Sequence, residues 1–98
     1  MTVYVVAQLS FTDRAAYDRY QARFMDVFRK FEGRLLAADE HPVVLEGDWQ
    51  RNKVVLLAFP DEGAARRFTD SSEYQEISRD RRAGADTLSL LVHGISVG

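Results

Sequence analysis

Two acidic side chains beside a tryptophan are the first candidates for chemistry in this sequence. Glu46 and Asp48 are two positions apart, which puts both on one face of a regular strand unless Gly47 breaks it. The indole of Trp49 would partly dehydrate a neighbouring carboxylate, and such a carboxylate can act as a general acid or base. Asp48 is therefore the candidate catalytic residue. The alternative is a turn, in which Asp48 accepts backbone N–H groups and Trp49 is a packing lid.

Four further side chains are candidates for binding a ligand, with Trp49 as an apolar wall. Tyr20 and Phe24 are four residues apart and share one face of a predicted helix, where they either fill a core or line a cleft. Arg34 could pair with the acidic side chains or with an anionic ligand. Arg81 lies near the end of the last predicted helix, where it either holds a substrate carboxylate as a fork or only offsets the helix dipole.

The sequence offers no metal or cofactor chemistry of a recognisable kind. It contains no cysteine, and its two histidines, His41 and His93, have no companions at metal-ligand spacing. A phosphate-binding loop, a dinucleotide glycine pattern and a Ser-His-Asp arrangement are all missing. We therefore expect no metal and no cofactor. A lone His93 could be a base, but its position also suits a structural role at a subunit contact.

An apolar strand over residues 53–59 is the element that constrains the fold most. Its side chains divide between the two faces as Val54, Leu56 and Ala58 on one and Val55, Leu57 and Phe59 on the other. Both faces must therefore be shielded from water. A chain of 98 residues has helices enough to cover one face only, so we expect a second copy of the chain to cover the other.

Three more strands are predicted from alternating or apolar runs. The first covers 3–11, the second covers 34–38 and resumes at 43–46 after a break at 39–42, and the last covers 87–95 after a loop at 83–85. Each of these runs is bounded by turn residues or charges, as strands commonly are.

The helices are predicted from apolar spacing of three and four and from their caps. Asp13 caps the first helix, which ends at Gly33 in a left-handed conformation. A short helix opens after residue 60 and is interrupted near 70–72. Ser72 is the predicted cap of the last helix, with Gln75 reaching back to it, and Ser71 is an equally good cap one residue earlier.

The resulting order is strand, helix, strand, strand, helix, strand. Right-handed crossovers place the helices on one face of a four-stranded antiparallel sheet, which is the ferredoxin-like βαββαβ arrangement of an α+β fold. We expect residues 1–98 to form one such domain. Two of these sheets packed face to face would make a homodimer and cover the apolar face that the helices leave open.

Composition excludes two classes of partner. The net charge is -2 and the charges are interspersed, which is unlike the clustered basic surface of a nucleic-acid-binding protein. No apolar run approaches the roughly 18 residues that would span a membrane. The first residues lack the basic start and apolar segment of a signal peptide, so a cytoplasmic location is expected.

Three short motifs occur in a fixed order along the chain. They are the E-G-D-W element at 46–49, the pair Phe59-Pro60, and the segment 71–75. Together they resemble an uncharacterised family, domain of unknown function 1330, over about residues 3–95. Two positions depart from the family pattern. Ser72 stands where the family often has proline, and Glu32 replaces the first of two glycines before the arginine that Arg34 matches.

The resemblance implies a dimeric α+β barrel with a small-molecule cleft between sheet and helices. Its superfamily includes cofactor-free monooxygenases, isomerases, haem-degrading enzymes and stress-response proteins. The expected walls and polar groups of the cleft are Tyr20, Phe24, Trp49, Phe59, Asp48, Arg34 and Arg81.

Three functional hypotheses follow from this resemblance. One is a cofactor-free enzyme for proton transfer or oxygenation of a small organic acid or aromatic. A second is a non-catalytic ligand-binding or stress-related homodimeric module. A third is that the aromatic side chains only fill a core.

Overall fold

The computed structural model describes residues 1–95 and contains four strands and three helices. In chain order the elements are β1 (Val3–Phe11), α1 (Arg14–Phe28), β2 (Arg34–Asp39), β3 (Lys53–Phe59), α2 (Glu62–Thr69), α3 (Ser72–Gly84) and β4 (Ala85–His93). The strands form one antiparallel sheet in the order β2-β3-β1-β4. The predicted ferredoxin-like α+β fold is therefore confirmed. None of the helices in residues 1–95 has the length and apolar character needed to cross a membrane.

The hydrophobic core lies between the helices and one face of the sheet. Odd-numbered residues of β1 and β3 face the helices, and Val3, Leu9 and Phe59 among them are buried almost completely. At one end of this layer, Phe28 and Phe68 pack edge to face at 5.2 Å between ring centroids. Burial of these large side chains is the main stabilising contribution to the fold.

The opposite face of the sheet is apolar and open. The even-numbered residues of β3 lie on this face, as the predicted alternation requires, and β4 contributes three exposed side chains to it. Leu88, Leu90 and Val92 are 45%, 50% and 45% exposed. We call this surface the open face.

An irregularity in β2 sets which of its side chains face the helices. The register with β3 shifts between Leu35 and Ala37, so that Leu36 is an extra residue. Leu35 pairs with Leu57 and Ala38 pairs with Val55, which places both on the helix side. The bulge therefore brings two residues three positions apart onto one face.

Each helix begins at a capping side chain. Asp13 accepts from the Ala16 N–H and Asp61 accepts from the Ala64 N–H. Ser71, not Ser72, caps α3, since its Oγ accepts from a backbone N–H at 3.1 Å. The predicted capping box is wrong, because the side chain of Gln75 instead donates to the Thr69 carbonyl.

Three predicted boundaries of strands and loops are wrong. Residues 43–46 form no strand, and Val43 and Leu45 are 82% and 94% exposed in the loop between β2 and β3. The predicted loop at 83–85 does not exist, because α3 continues to Gly84 and β4 starts at the next residue. The last strand accordingly runs two residues earlier than predicted. The apolar run of 43–46 suggested a strand, but these residues pair with no strand and lie exposed in the loop.

The end of α1 also differs from the prediction. The helix stops at Phe28, five residues before Gly33, and the glycine with a left-handed φ among residues 1–95 is Gly47. Gly33 is required for a different reason. A Cβ at this position would lie 2.6 Å from ring atoms of Phe28 and Phe59, so only glycine lets the chain pass beside the aromatic core.

Gly84 joins the two long helices at the other end of the molecule. Its carbonyl accepts hydrogen bonds from the N–H groups of Thr12 and Asp13, at 2.9 and 3.1 Å. A Cβ at residue 84 would lie 2.4 Å from the backbone nitrogen of Tyr17 and 2.6 Å from the carbonyl oxygen of Asp13. The start of α1 therefore depends on close backbone approach at this glycine.

We expect Gly84→Ala to lower the free energy of unfolding by roughly 1–3 kcal/mol or more, because the obstructing atoms are backbone and cannot rotate away. The measurement is urea unfolding followed by circular dichroism. Gly63→Ala is the matched control, since its Cβ would meet only side-chain atoms at 3.3 Å or beyond. A Gly84→Ala protein as stable as this control would contradict the packing described.

Candidate functional site

A cavity of about 590 Å³ lies between the helix-facing side of the sheet and helices α1 and α3. Its floor is apolar and comes from β1 and β3, with Val5, Ala7 and Val55 among the lining residues. Its roof is largely aromatic and consists of Tyr17, Tyr20, Phe24, Phe68 and Tyr74. A cavity of this size and lining is typical of small-molecule sites.

One end of the cavity floor is polar because of a single row across the sheet. Leu9 in the middle of this row pairs with Lys53 of β3 on one side and with Thr87 of β4 on the other. All three side chains point towards the helices and line the cavity. The row therefore places an amine and a hydroxyl on either side of an apolar residue.

Two buried polar atoms at this cavity lack partners within residues 1–95. They are Nε of Arg81 and Oγ1 of Thr87. The guanidinium carbon of Arg81 lies 5.9 Å from the ring centroid of Tyr20, and no carboxylate of the described residues is ion-paired with it. A buried donor without an acceptor costs roughly 1–3 kcal/mol, so these two groups are suited to an incoming acceptor.

Lys53 is the most buried charged residue of the site. It is 4% exposed, its Nζ donates to Oε1 of Gln21 at 2.9 Å, and the same atom lies 4.9 Å from the ring centroid of Tyr17. Among the residues described, no carboxylate forms an ion pair with it. Burial lowers the pKa of Lys53, and the charge of Glu40 offsets only part of this effect.

Glu40 lines the cavity but is already bound by another residue. Both of its carboxylate oxygens accept from the guanidinium of Arg14, at 2.7 and 2.9 Å, and Nε of Arg14 donates to Asp18 at 2.8 Å. These hydrogen bonds from Arg14 lower the pKa of Glu40. Glu40 is therefore a poor proton acceptor, and its negative charge is shared with Arg14.

The tyrosine hydroxyls of the roof are hydrogen-bonding groups. Those of Tyr20 and Tyr74 are 3.1 Å apart and either can donate. Burial raises the pKa of Tyr20 well above its ordinary value, and the Tyr74 hydroxyl adds to the effect. Burial also raises the pKa of Tyr17 to about 12. Neither of these two phenols is ionised near neutral pH, so neither acts there as a base.

The structure brings together three of the six predicted site residues. Tyr20, Phe24 and Arg81 all line the cavity. Phe59, an expected wall, lies instead in the aromatic core at 5.8 Å from the ring centroid of Phe68. The aromatic side chains of α1 and Arg81 of α3 therefore line the same cavity, as the sequence suggested.

The other three predicted residues lie away from the cavity. Asp48 accepts from the side chain of Gln50 at 2.6 Å, and it does not line the cavity. The indole N–H of Trp49 donates to Gln8, a β1 residue on the open face, at 3.2 Å. Arg34 pairs with Ala58, which also belongs to the open face. A catalytic role for Asp48 thus stays a prediction that no contact with the cavity supports.

Sequence reasoning missed several polar residues of the site, among them Lys53, Tyr74 and Thr87. Lys53 carried a usable signal, because it alternates with Val55 and Leu57 and so had to point towards the helices. His93, which the sequence offered as a base or a structural residue, does not line the cavity. Its Nε2 lies 3.0 Å from Oε1 of Glu62 at the surface.

Comparison with known proteins assigns the fold and a family. The model of the family described as "Domain of unknown function (DUF1330)" matches residues 2–95. A comparison with curated proteins gave no match.

Three solved structures illustrate the likeness. The protein of unknown function RPA0582 from Rhodopseudomonas palustris has a TM-score of 0.80 and 16% identity over 97% of this chain and 83% of its own. SnoaB, a cofactor-independent oxygenase from Streptomyces nogalater, has a TM-score of 0.68 and 17% identity over 98% and 95%. A dabb family protein with a ferredoxin-like fold from Mesorhizobium loti has a TM-score of 0.69 and 11% identity over 97% and 98%. At these identities the likeness shows the fold alone.

We expect the buried hydroxyl of Tyr17 to make the fold sensitive to alkali. Its pKa is about 12 in the folded chain and about 10 when unfolded, so its stabilising effect is complete below pH 10 and lost as pH rises towards 12. Between pH 10 and pH 12, the free energy of unfolding should therefore fall less for Tyr17→Phe than for the wild type. Urea unfolding at several pH values measures the slopes, and equal slopes would contradict the burial of this hydroxyl.

Proposed function

This chain belongs to the family described as domain of unknown function 1330, and we propose that it binds a small aromatic or conjugated organic acid in the cavity and acts on it without a cofactor. The observation that carries the proposal is a pair of buried groups of the cavity lining that have no partner within residues 1–95, Arg81 Nε and Thr87 Oγ1. Acceptor atoms of a ligand would satisfy these groups. Arginine suits a carboxylate especially well, because its planar fork matches the two oxygens.

The charge balance of the cavity favours an anion. Lys53 and Arg81 are its cationic side chains, whereas the inner carboxylate, Glu40, is held by Arg14. Asp70 lies at the exposed rim. A ligand with one negative group would therefore find donors in the cavity and only carboxylates that are already paired or lie at its exposed edge.

The aromatic roof favours a flat apolar body for the ligand. Tyr17 and Tyr20 pack at 5.6 Å between ring centroids, and Phe24 follows Tyr20 at 5.8 Å, which gives a continuous ring-lined surface over the apolar floor. Offset or edge-to-face contacts with such rings stabilise an aromatic ligand beyond area burial alone.

A cofactor-free enzyme is the activity that we propose for this cavity. Support comes from the fold shared with SnoaB, whose description is a cofactor-independent oxygenase, and this is support by analogy. The position of Asp48 outside the cavity favours the second candidate, a non-catalytic ligand-binding module. Mass spectrometry of a bound acid, incubated with and without oxygen, detects any turnover. Turnover supports the enzyme, and its absence supports the binding module.

We expect Arg81→Met to weaken the binding of aromatic carboxylates roughly 10- to 100-fold, because a hydrogen bond to a charged group contributes about 1.5–3 kcal/mol. Thermal-shift screening finds the ligands, and titration calorimetry measures their affinities. Arg79→Met is the matched control, since Arg79 is an exposed residue of the same helix that pairs with Glu76. Equal affinities for the two variants would contradict the role of Arg81, and no hit across a broad panel of acids would contradict the proposal itself.

We also propose that the open face is the contact between two copies of this chain. Val54, Leu56 and Ala58 run along its middle strand, and Leu88, Leu90 and Val92 are about half exposed on its edge strand. An exposed apolar surface that extends over several strands is unusual for a protein that stays monomeric. A second copy offers the same apolar surface, so an isologous pairing would cover both.

Leu90→Asp should convert this dimer to a monomer, because it would bury an unpaired carboxylate in an apolar contact. Analytical ultracentrifugation measures the mass in solution. Ala22→Asp, at an exposed position of α1, makes the same kind of change away from the open face and should leave the dimer intact. A wild-type protein that sediments as a monomer at high concentration would contradict this interface.

A further inference from the structure

We propose that Lys53 is a second anion-binding group of the cavity, whose ammonium holds an ionised hydroxyl oxygen of the ligand. This inference rests on the proposed function, because it requires an organic acid in the same cavity. It narrows the substrate class to hydroxyaryl and enolic acids, which carry an acidic hydroxyl in addition to the carboxylate.

Lys53 is a buried charged group whose direct partners are neutral. Its side chain is 4% exposed and lines the cavity. The Nζ atom donates to Oε1 of Gln21 at 2.9 Å and lies 4.9 Å from the ring centroid of Tyr17. Among residues 1–95, no carboxylate forms an ion pair with it. Because a buried charge is normally paired, this ammonium is suited to an anion that comes from outside the chain.

The carboxylates near Lys53 favour its charged form but are bound by another residue. Burial lowers the pKa of Lys53 and Arg14 adds to this effect, whereas the charges of Glu40 and Asp18 oppose it. Both oxygens of Glu40 accept from Arg14, at 2.7 and 2.9 Å, and Asp18 accepts from Nε of Arg14 at 2.8 Å. Neither carboxylate therefore contacts the ammonium that its charge supports.

Hydrogen-bond donors remain on the ammonium for a ligand. A lysine ammonium has three N–H donors and no acceptor. Gln21 accepts from Lys53 through its amide oxygen, and the face of the Tyr17 ring attracts the positive charge without using a donor of its own. An oxygen atom of a ligand in the cavity can accept from the donors that Gln21 leaves free.

The two cations of the cavity suit different oxygen groups. The planar fork of Arg81 matches the two oxygens of a carboxylate, whereas the ammonium of Lys53 is a compact point charge that suits a single oxygen. Lys53 lies against the ring of Tyr17, Arg81 lies 5.9 Å from the ring centroid of Tyr20, and the two rings are 5.6 Å apart. We therefore assign the carboxylate to Arg81 and the ionised hydroxyl to Lys53.

Ionisation of the ligand at Lys53 needs no further reactant. The O–H bond of the ligand breaks, its electron pair stays on the oxygen, and the proton passes to water. The oxyanion then accepts from the ammonium in a cavity of low polarity, where their attraction is stronger than in water. The pKa of the bound hydroxyl is therefore lower than in water, and the negative charge spreads into the conjugated system of the ligand.

The first test uses 4-nitrophenol, whose phenolate is yellow and whose neutral form is not. Titration of its absorbance against pH, with and without saturating protein, compares ionisation in the bound and free states. We expect the wild type to bind the phenolate at least about tenfold more tightly than the phenol, and Lys53→Met to lose this preference. Lys30→Met is the matched control and should keep it, since Lys30 pairs with Glu73 at the surface. A wild type without the preference, or a Lys53→Met protein that retains it, would overturn the proposal.

A second probe keeps this result distinct from the proposed function. Benzoate carries only a carboxylate, so its affinity should fall roughly 10- to 100-fold with Arg81→Met and change little with Lys53→Met. Arg81→Met should still favour the yellow phenolate. Binding of benzoate without ionisation of 4-nitrophenol would refute the Lys53 subsite and leave the acid site standing. If neither probe binds to the wild type, the proposed function and this inference both fail.

Two bifunctional probes test whether one ligand reaches both cations. 4-Hydroxy-3-nitrobenzoate and 3-hydroxy-4-nitrobenzoate place the hydroxyl at different distances from the carboxylate. At least one should bind the wild type about tenfold or more tightly than the nitrobenzoate that lacks the hydroxyl, and Lys53→Met should remove this advantage. If neither hydroxyl improves binding, the proposed substrate class is wrong.

Thermal stability separates a binding role of Lys53 from a structural one. A buried ammonium without an ion pair costs stability, so Lys53→Met without ligand should melt at the same temperature as the wild type or higher. A Lys53→Met protein that melts at a clearly lower temperature, yet binds all the probes as the wild type does, would show a structural role and overturn the proposal.

Discussion

The alternation of side chains along β1 and β3 decides where every other feature of the molecule lies. The odd-numbered residues of both strands face the helices and the even-numbered residues face away. Because the alternation is regular along both strands, the amine of Lys53 in β3 must point towards the helices. The same rule puts a second apolar surface on the open face, which no helix within residues 1–95 covers.

The cavity exists because the helices are held at its two ends. The aromatic core of Phe28, Phe59 and Phe68 fills one end of the layer, and the Gly84 carbonyl ties the start of α1 at the other. Between these contacts the floor has smaller side chains, such as Ala7 and Ala38, and the layer stays open. Packing at the ends therefore determines the space in the middle.

Periodic segments could be predicted from the sequence, and segments without a period could not. β1 and β3 were predicted with their observed bounds, and the stripe of α1 placed Tyr20 and Phe24 correctly beside the sheet. The loop from residue 40 to residue 52 has no repeating pattern, so nothing in the sequence told which side of the sheet it would follow. The indole N–H of Trp49 donates to Gln8 on the open face, and Asp48 accepts from Gln50. These two residues therefore do not form the predicted cluster at the cavity. The bulge at Leu36 could not be predicted either, because an extra residue does not change the pattern of a short run that is apolar throughout.

The ion pair of Arg14 with Glu40 affects the electrostatic surroundings of the buried Lys53 amine. Burial lowers the pKa of Lys53, and Glu40 is the carboxylate whose charge most opposes this effect. Arg14 competes for the same carboxylate with two short hydrogen bonds and is itself oriented by Asp18 and by the ring of Phe11 at 4.4 Å. The competition leaves Lys53 with an uncharged partner, Gln21. Lys53 is thus a buried amine that forms no ion pair within residues 1–95, because Arg14 holds the carboxylate of Glu40.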